Sequence, residues 1–327
     1  MLLRIVIIWM CIVTSFYTGA FAAEKKQGGG NLGLKILQDM TTTLSGQKPA
    51  NNVEGTNPAN PVQKEDTKEE KIFKGVSNIL ASQGEMDYDT ERVLGERLAL
   101  EGFKTYGLPV YNYEVHKYVN MVGLAVARNS KRPGLPYRFV VLDSPLMNAF
   151  ACPGGIVFIS SGLVKSLDSE AELAALLGHE LAHVGYKHAM NSMKRAKLIS
   201  GIGQLTAVGM DSEQGKQLEA MVGNLQDVLF DHGLDQDLEY EADLRGMEAA
   251  YRTGYNPEGM IKILDALKRN EGQSQKELSW YSTHPPTASR LERCNQAMGY
   301  FPDAGNMVFK TGRFEHIKQL LMDYKAP

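Results

Sequence analysis

Cysteine is almost absent from this chain, with three in 327 residues. One, Cys11, lies in an apolar N-terminal run, which leaves Cys152 and Cys294. So few exclude a disulfide framework, and an ordinary apolar core must hold the fold. A single bridge between the two thiols and two free buried thiols both fit the sequence. An excess of one charge is equally lacking. The formal net charge is −3, with 35 Lys and Arg interspersed among 38 Asp and Glu. No basic patch argues for nucleic acid or an anionic membrane as partner. Beyond the N-terminus no stretch approaches the roughly 18 uninterrupted apolar residues of a membrane span.

Residues 1–22 are the exception. Arg4, an apolar run from Ile5 to Tyr17 and Ala20-Phe21-Ala22 read as a secretory signal cleaved after Ala22. Trp9 and Met10 are too bulky for a lipoprotein signal at Cys11. Retention as a membrane anchor is the alternative, because the run is long enough to approach a span. The expected location is periplasmic or otherwise extracytoplasmic, with no stable membrane span once the leader is cleaved. Residues 23–71 are rich in Gly, Asn, Gln, Pro, Lys and Glu and read as a largely disordered, low-complexity linker, with a short amphipathic piece at Leu32–Leu44. Residues 72–300 have the patterning and length of one domain with its own core. Residues 301–327 form a C-terminal extension whose Phe314–Tyr324 segment is an amphipathic helix, either docking elsewhere or closing the core.

Histidine is scarce too, seven in all, yet three fall between His179 and His188. The stretch Glu172–His188 contains His179-Glu180-Leu181-Ala182-His183. At about 100° per residue, His179 and His183 lie about 40° apart on a helix, so both imidazoles can reach one metal ion. Glu180 beside them lies within reach of a water held by that metal. Ser169 with Glu172 forms a capping box, and Leu173, Leu176, Leu177, Leu181 and Val184 form an apolar stripe, so the motif rides on a buried helix. This helix is expected to run on to about Lys197. On such a helix His188 lies about 180° from His179 and drops out of the site, as a structural residue or an outer partner.

Helices are also predicted at Ile72–Ala81, Tyr88–Tyr106, Tyr113–Ala127 and Gln214–Phe230. Tyr137–Leu142 and Gly155–Ser160 read as strands, with residues 148–154 as the loop between them. Gly155–Ser160 leads into the metal helix and is expected to form the sheet edge at the cleft. There Gly155, Ile156, Val157 and Phe158, with Asn148 nearby, would pair with an extended peptide by backbone hydrogen bonds. The alternative is a purely structural strand.

Leu234–Asp243 reads as a second acidic helix. A catalytic zinc takes three protein ligands and keeps one position open, and His₂Glu is an established set. Glu239 and Asp243 share a helical face, whereas Glu241 points about 160° away. Glu239 as ligand with Asp243 supporting a ligating histidine is one reading, and a solvated charged face is the other.

Four ordered motifs then carry a resemblance. They are Asn148-Ala149-Phe150-Ala151-x-Pro153-Gly154-Gly155, the His179–His183 motif, Glu239-Tyr240-Glu241-Ala242-Asp243, and His284-Pro285-Pro286 with Arg290. Over roughly Asp89 to Arg293 the chain resembles the M48 family of zinc metallopeptidases, which includes membrane-bound CAAX prenyl proteases and bacterial envelope quality-control proteases. The resemblance implies an α+β, mainly helical zincin-type domain with a small β-sheet whose edge borders the cleft. It implies one zinc per chain on His179, His183 and Glu239, with Glu180 as catalytic base and Asp243 as supporting carboxylate. Cys152 stands where the family usually has an aliphatic residue, which leaves inert packing or redox sensitivity open. Without several spanning helices or a following helical-repeat region, the chain looks like the soluble, exported branch.

The expected activity is a zinc-dependent endopeptidase acting on extended or misfolded polypeptides of the cell envelope. Donors for the tetrahedral oxyanion are sought among His284, Arg290 and Tyr240. His284 has a second reading, as a group that keeps the resting site latent, and Arg290 has one as a structural salt bridge. The competing class is a non-catalytic, zinc-containing peptide-binding or chaperone-like module. Polypeptides are the expected substrates, and an envelope protein partner stays unidentified.

Overall fold

The computed structural model describes residues 86–199, 222–269, 280–285 and 288–326. The leader, the linker, the helix predicted at Ile72–Ala81 and the start of the Gln214–Phe230 run lie outside the described residues. Helix α1 (Tyr88–Tyr106) and helix α2 (Tyr113–Ala127) have the predicted bounds. Each begins where a short polar side chain satisfies a free backbone N–H: Asp87 accepts from Thr90, and Asn112 from Val115.

The sheet holds three strands, β1 (Arg138–Leu142), β2 (Ala149–Cys152) and β3 (Ile156–Ser160), in the order β1-β3-β2. β3 runs parallel to β1 and antiparallel to β2, with Phe150 opposite Phe158. This corrects two expectations. Residues 148–154 are not all loop, and β3 is the central strand rather than the edge. The four residues of β2 contain no β-branched side chain and so carry little strand signal. Tertiary packing makes the strand instead: Phe150 stacks on Phe158 at 4.8 Å and meets Phe230 edge-on at 4.8 Å. Gly154 and Gly155, at φ 82° and 106°, make the β2–β3 turn in a region that a β-carbon disfavours. Both sheet faces are covered. Ala149, Ala151, Val157 and Ile159 face the larger core, while Phe150, Cys152 and Phe158 join a second core with Leu94, Leu98, Tyr106 and Phe230.

After α3 (Ser161–Ser166) comes the central helix, α4 (Glu170–Gly185), buried along its whole length. Ser169 caps it by accepting from Glu172 N–H, while the Glu172 carboxylate accepts from the Ser169 hydroxyl and from Asp168 N–H. The predicted stripe of Leu173, Leu176, Leu177, Leu181 and Val184 lies in the larger core, where each leucine contributes roughly 1.5–3 kcal/mol. The helix does not continue unbroken to Lys197. It ends at Gly185, Lys187 takes a left-handed φ of 57°, and α5 (His188–Ile199) starts afresh.

A π-helical turn (Asp227–His232) precedes α6 (Gln236–Thr253), and α7 (Glu258–Arg269), the short α8 (Trp280–Thr283) and α9 (Ala288–Ala297) follow. Helices α4 and α6 cross at glycines. A β-carbon on Gly246 would lie 2.7 Å from the His179 backbone nitrogen, and one on Gly178 would lie 2.8 Å from the Gly246 carbonyl. Only that closeness brings Asp243, one turn ahead of Gly246, onto His179.

The last helix, α10 (Gly312–Asp323), inserts Phe314, Ile317 and Leu321 into the larger core. Residues after 300 thus belong to the same core as α4, the second of the two readings above. Glu170, the first residue of α4, accepts from the hydroxyls of Tyr118 at 2.7 Å and Tyr255 at 2.6 Å, and also from Thr311 and Arg313. Burial alone would raise its pKa, but these donors outweigh it and hold the carboxyl down at about 2. Among the described residues no helix is long and apolar enough to cross a membrane.

Candidate metal centre

Four buried side chains from three segments meet beside α4: His179, His183, Glu239 of α6 and His284, which follows α8. His179 Nε2 and His183 Nε2 are 2.9 Å apart. Glu239 stands 3.5 Å from each, Oε2 toward His179 and Oε1 toward His183. His284 Nδ1 lies 3.4 Å from His179 Nε2 and 2.9 Å from both Glu239 oxygens. With bonds near 2.1 Å, donor atoms of a tetrahedral zinc sit about 3.4 Å apart. The observed separations bracket that value, so the donor set suits a metal ion of zinc's size and preference.

The outward nitrogens agree with this arrangement. His179 Nδ1 is 3.1 Å from Asp243 Oδ1, which leaves Nε2 as the inward lone pair. Asp243 is in turn gripped by Arg290, whose Nε donates to Oδ2 at 2.8 Å and Nη2 to Oδ1 at 2.7 Å. Arg290 Nη1 also donates to the His284 carbonyl at 2.9 Å and lies 3.1 Å from Glu239 Oε2. Of the two readings of Arg290, these contacts fit the structural one. Its donors are committed to ligand-side carboxylates and to the turn carrying His284. The Tyr240 hydroxyl likewise donates to Ser289 Oγ at 2.7 Å.

Charge is concentrated here among buried side chains. Burial lowers the His183 pKa well below the usual imidazole value, and the neighbouring His179, His284, His188 and Arg290 add to the effect. It is therefore a neutral ligand-ready ring. For Glu239, burial alone would raise the carboxyl, but His284 and then Arg290 outweigh it and hold it ionised. Asp243 is likewise lowered, by Arg290 against the burial penalty. His284 moves upward, since the Glu239 carboxylate outweighs burial.

Glu180 is buried one residue after His179, and its Oε1 accepts a 3.0 Å hydrogen bond from Trp280 Nε1. His284 Nε2 is 3.9 Å from the same oxygen. Sequence reasoning missed Trp280, whose backbone N–H also donates to the Met147 carbonyl at 2.7 Å. A signal existed, because Trp280 is the one tryptophan beyond the leader. Of the two readings of His188, the outer partner fits its contact with His183, toward which the break at Lys187 turns it. Cys152 and Cys294 are both free and buried. Burial and the nearby Glu180 charge push the Cys152 thiol upward, which suits inert packing rather than redox chemistry.

Asn148 is buried just ahead of β2. Its N–H donates to Ser160 Oγ, its carbonyl accepts from Ser160 N–H, and its Oδ1 has no partner among the described residues. Val157 and Phe158 are wholly buried and Ile156 partly so, in a strand paired on both sides. The outer side of β1 is engaged by residues 108–110, through Val110 N–H to the Val141 carbonyl and Asp143 N–H to the Leu108 carbonyl. The free edge among the described strands is that of β2, which packs against α4.

Residues 114–297, more than half of the chain, match the model of peptidase family M48. The chain belongs to this family of metallopeptidases. Its relatives include the β-barrel assembly-enhancing protease of Escherichia coli (strain K12), 30% identical over 193 residues, which cover 55% of this chain and 39% of that protein. Mitochondrial metalloendopeptidase OMA1 of Schizosaccharomyces pombe is 27% identical over 67% of this chain and 64% of its own length. Metalloprotease LoiP of Escherichia coli (strain K12) is 26% identical over 57% of this chain and 72% of its own. The M48 chain described here spans about two-fifths of the length of the assembly-enhancing proteases it matches.

Proposed function

We propose that this chain is a zinc-dependent endopeptidase with one zinc per chain on His179, His183 and Glu239, acting on extended or misfolded polypeptides outside the cytoplasm. The observation that carries the reading is the convergence of three metal-suited donor atoms beside a buried, unligated carboxylate, Glu180. Bound zinc supplies a Lewis acid that acidifies water and polarises the scissile carbonyl. Glu180 takes the proton of the attacking water and returns it to the leaving amine. Trp280 Nε1 fixes the carboxylate orientation for both transfers. Asp243 and Arg290 act through the ligands, orienting His179 and Glu239. His284 lies between Glu239 and Glu180 and restrains the resting site, and its displacement frees it to stabilise the oxyanion.

The substrate pairs along β2 rather than β3, because β2 is an outer strand of the sheet whereas β3 is paired on both sides. Asn148, with its unpartnered Oδ1, orients the peptide at the start of that edge. Export rests on the leader pattern of residues 1–22, and envelope quality control on the likeness to relatives at about 30% identity. The test is Glu180→Gln in the purified chain. Retained zinc with casein cleavage lost by at least about 10³-fold supports the mechanism. Cleavage equal to wild type refutes it, and zinc with bound but uncleaved substrate in both proteins favours a non-catalytic peptide-binding module.

A further inference from the structure

The outward nitrogen of His179 is held by Asp243, a pair legible in the Glu-x-x-x-Asp spacing. His183 has an outward nitrogen as well, and a different device holds it. His183 Nδ1 is 2.9 Å from His188 Nδ1, and His188 Nε2 is 3.3 Å from Glu241 Oε2. Proton bookkeeping leaves one arrangement. If Nε2 of a neutral His183 faces the metal, its proton is on Nδ1 and is donated outward. His188 Nδ1 must then accept, its own proton sits on Nε2, and that proton is donated to Glu241.

The backbone was bent to make this possible. Along an unbroken helix His188 would stand about 140° around from His183. Instead Lys187 takes a left-handed φ of 57°, a conformation that the β-carbon of a non-glycine residue disfavours. Its Nζ is anchored to the Met86 carbonyl at 3.0 Å and lies 3.7 Å from buried Glu91. The turn rotates a wholly buried imidazole onto a ligand that a straight helix would leave unsupported. Glu241 faces away from Glu239 on α6 and reaches the same ring from the far side.

We propose that His188 and Glu241 are positioning residues that fix the tautomer and ring plane of His183 and so raise the affinity of the centre for its metal. The proposal rests on the metal-centre reading above. Zinc affinity is measured by competition with a chromophoric chelator, and ring placement by the visible absorption of the Co²⁺-substituted chain. His188→Phe, which keeps the volume and removes the nitrogen, is expected to weaken zinc binding about 10–100-fold and to alter the Co²⁺ bands. His188→Asn places an acceptor oxygen near the lost Nδ1 and should recover binding to within about threefold of wild type. Glu241→Ala, at a partly exposed side chain, should weaken binding several-fold without threatening the fold, and so decides the matter should the Phe variant not fold. Unchanged zinc affinity and unchanged Co²⁺ bands in Glu241→Ala, or in a folded His188→Phe, overturn the relay. A wild-type chain that fails to bind zinc tightly overturns the metal-centre reading itself, which is a different result.

Discussion

Helix α4 carries a buried carboxylate cluster at each end, and the two ends differ in one respect. At the start, Glu170 accepts from Tyr118, Tyr255, Thr311 and Arg313, so its oxygens are met by donors that bring their own protons. At the far end, His179 Nε2, His183 Nε2 and Glu239 point lone pairs at a common space, with His284 at its rim. The first cluster is closed by its own donors, whereas on the reading proposed above the second is completed by a metal cation. A buried charged group is costly unless paired, so the first end serves the fold, and on the proposed reading the second stores an affinity for metal. Arginine appears in both with the same logic. Arg313 neutralises Glu170 directly, while Arg290 neutralises Asp243 behind His179 and also stands 3.1 Å from Glu239 Oε2.

The comparison is broken most severely at the open end. On the proposed ligand set Glu239→Ala removes one of three ligands, and zinc affinity should fall by at least about 10³-fold, read by chelator competition. Glu170→Gln is the mirror experiment. It should lower stability by about 3 kcal/mol, the low end for breaking a buried ion pair because Arg313 is half exposed, and leave zinc affinity unchanged. Its pH dependence has a definite sign. Glu170 is depressed from 4.5 to about 2 in the fold, so its contribution is present above about pH 4.5 and lost as pH falls toward about 2. Urea midpoints of wild type and Glu170→Gln should therefore differ widely at neutral pH and converge near pH 2. A gap that stays constant would show that the cluster does not act through the ionised carboxylate.

The same contrast marks what could be read before the fold was known. The open end was legible because ligand chemistry demands rare residues at helical spacing: His179, His183, Glu239 and Asp243 were all named from spacing, motif and resemblance. Helices α1 and α2 were legible to the residue, since Asp87 and Asn112 are local caps. The closed end was not, because Tyr118, Glu170, Tyr255 and Arg313 are scattered over nearly 200 positions with no periodic signature. β2 escaped because Ala-Phe-Ala-Cys becomes a strand only when Phe150 finds Phe158 and Phe230. With β2 unrecognised, β3 was taken for the edge it is not. For His188, helix arithmetic leaves a structural residue or an outer partner, and which ring it supports depends on a break that only Lys187's tertiary anchors reveal.

Between the two ends lies the glycine crossing, and Gly246→Ala sharpens the comparison from there. The added methyl meets the His179 backbone nitrogen at 2.7 Å, so α6 must move outward and carry Asp243 and Glu239 with it. The expected cost is about 1–3 kcal/mol of stability, as for overpacking a core, together with a measurable loss of zinc affinity although no ligand has changed. A variant losing stability but keeping wild-type zinc affinity would mean that the ligands tolerate helix displacement, and that the close crossing serves packing alone.

The smallest effect is expected at the rim of the open end, and it has the opposite sign. His284 donates from Nδ1 to Glu239 and stands 3.9 Å from Glu180, touching both a ligand and the base. In that place, on the reading proposed above, it stands where the attacking water and the scissile carbonyl would enter. It is held there by Arg290, which donates to its carbonyl, and by its own N–H bonded to the Trp280 carbonyl. His284→Ala removes the ring while sparing those backbone contacts. If restraint dominates, the variant should cleave an unfolded protein several-fold faster than wild type in a metal-dependent reaction, about 1 kcal/mol off the barrier. If the imidazole instead contributes chiefly to the oxyanion, cleavage should slow by 10²-fold or so. Equal or slower metal-dependent cleavage removes the case for latency, and then His284 belongs with Glu180 among the groups that work only once substrate has entered.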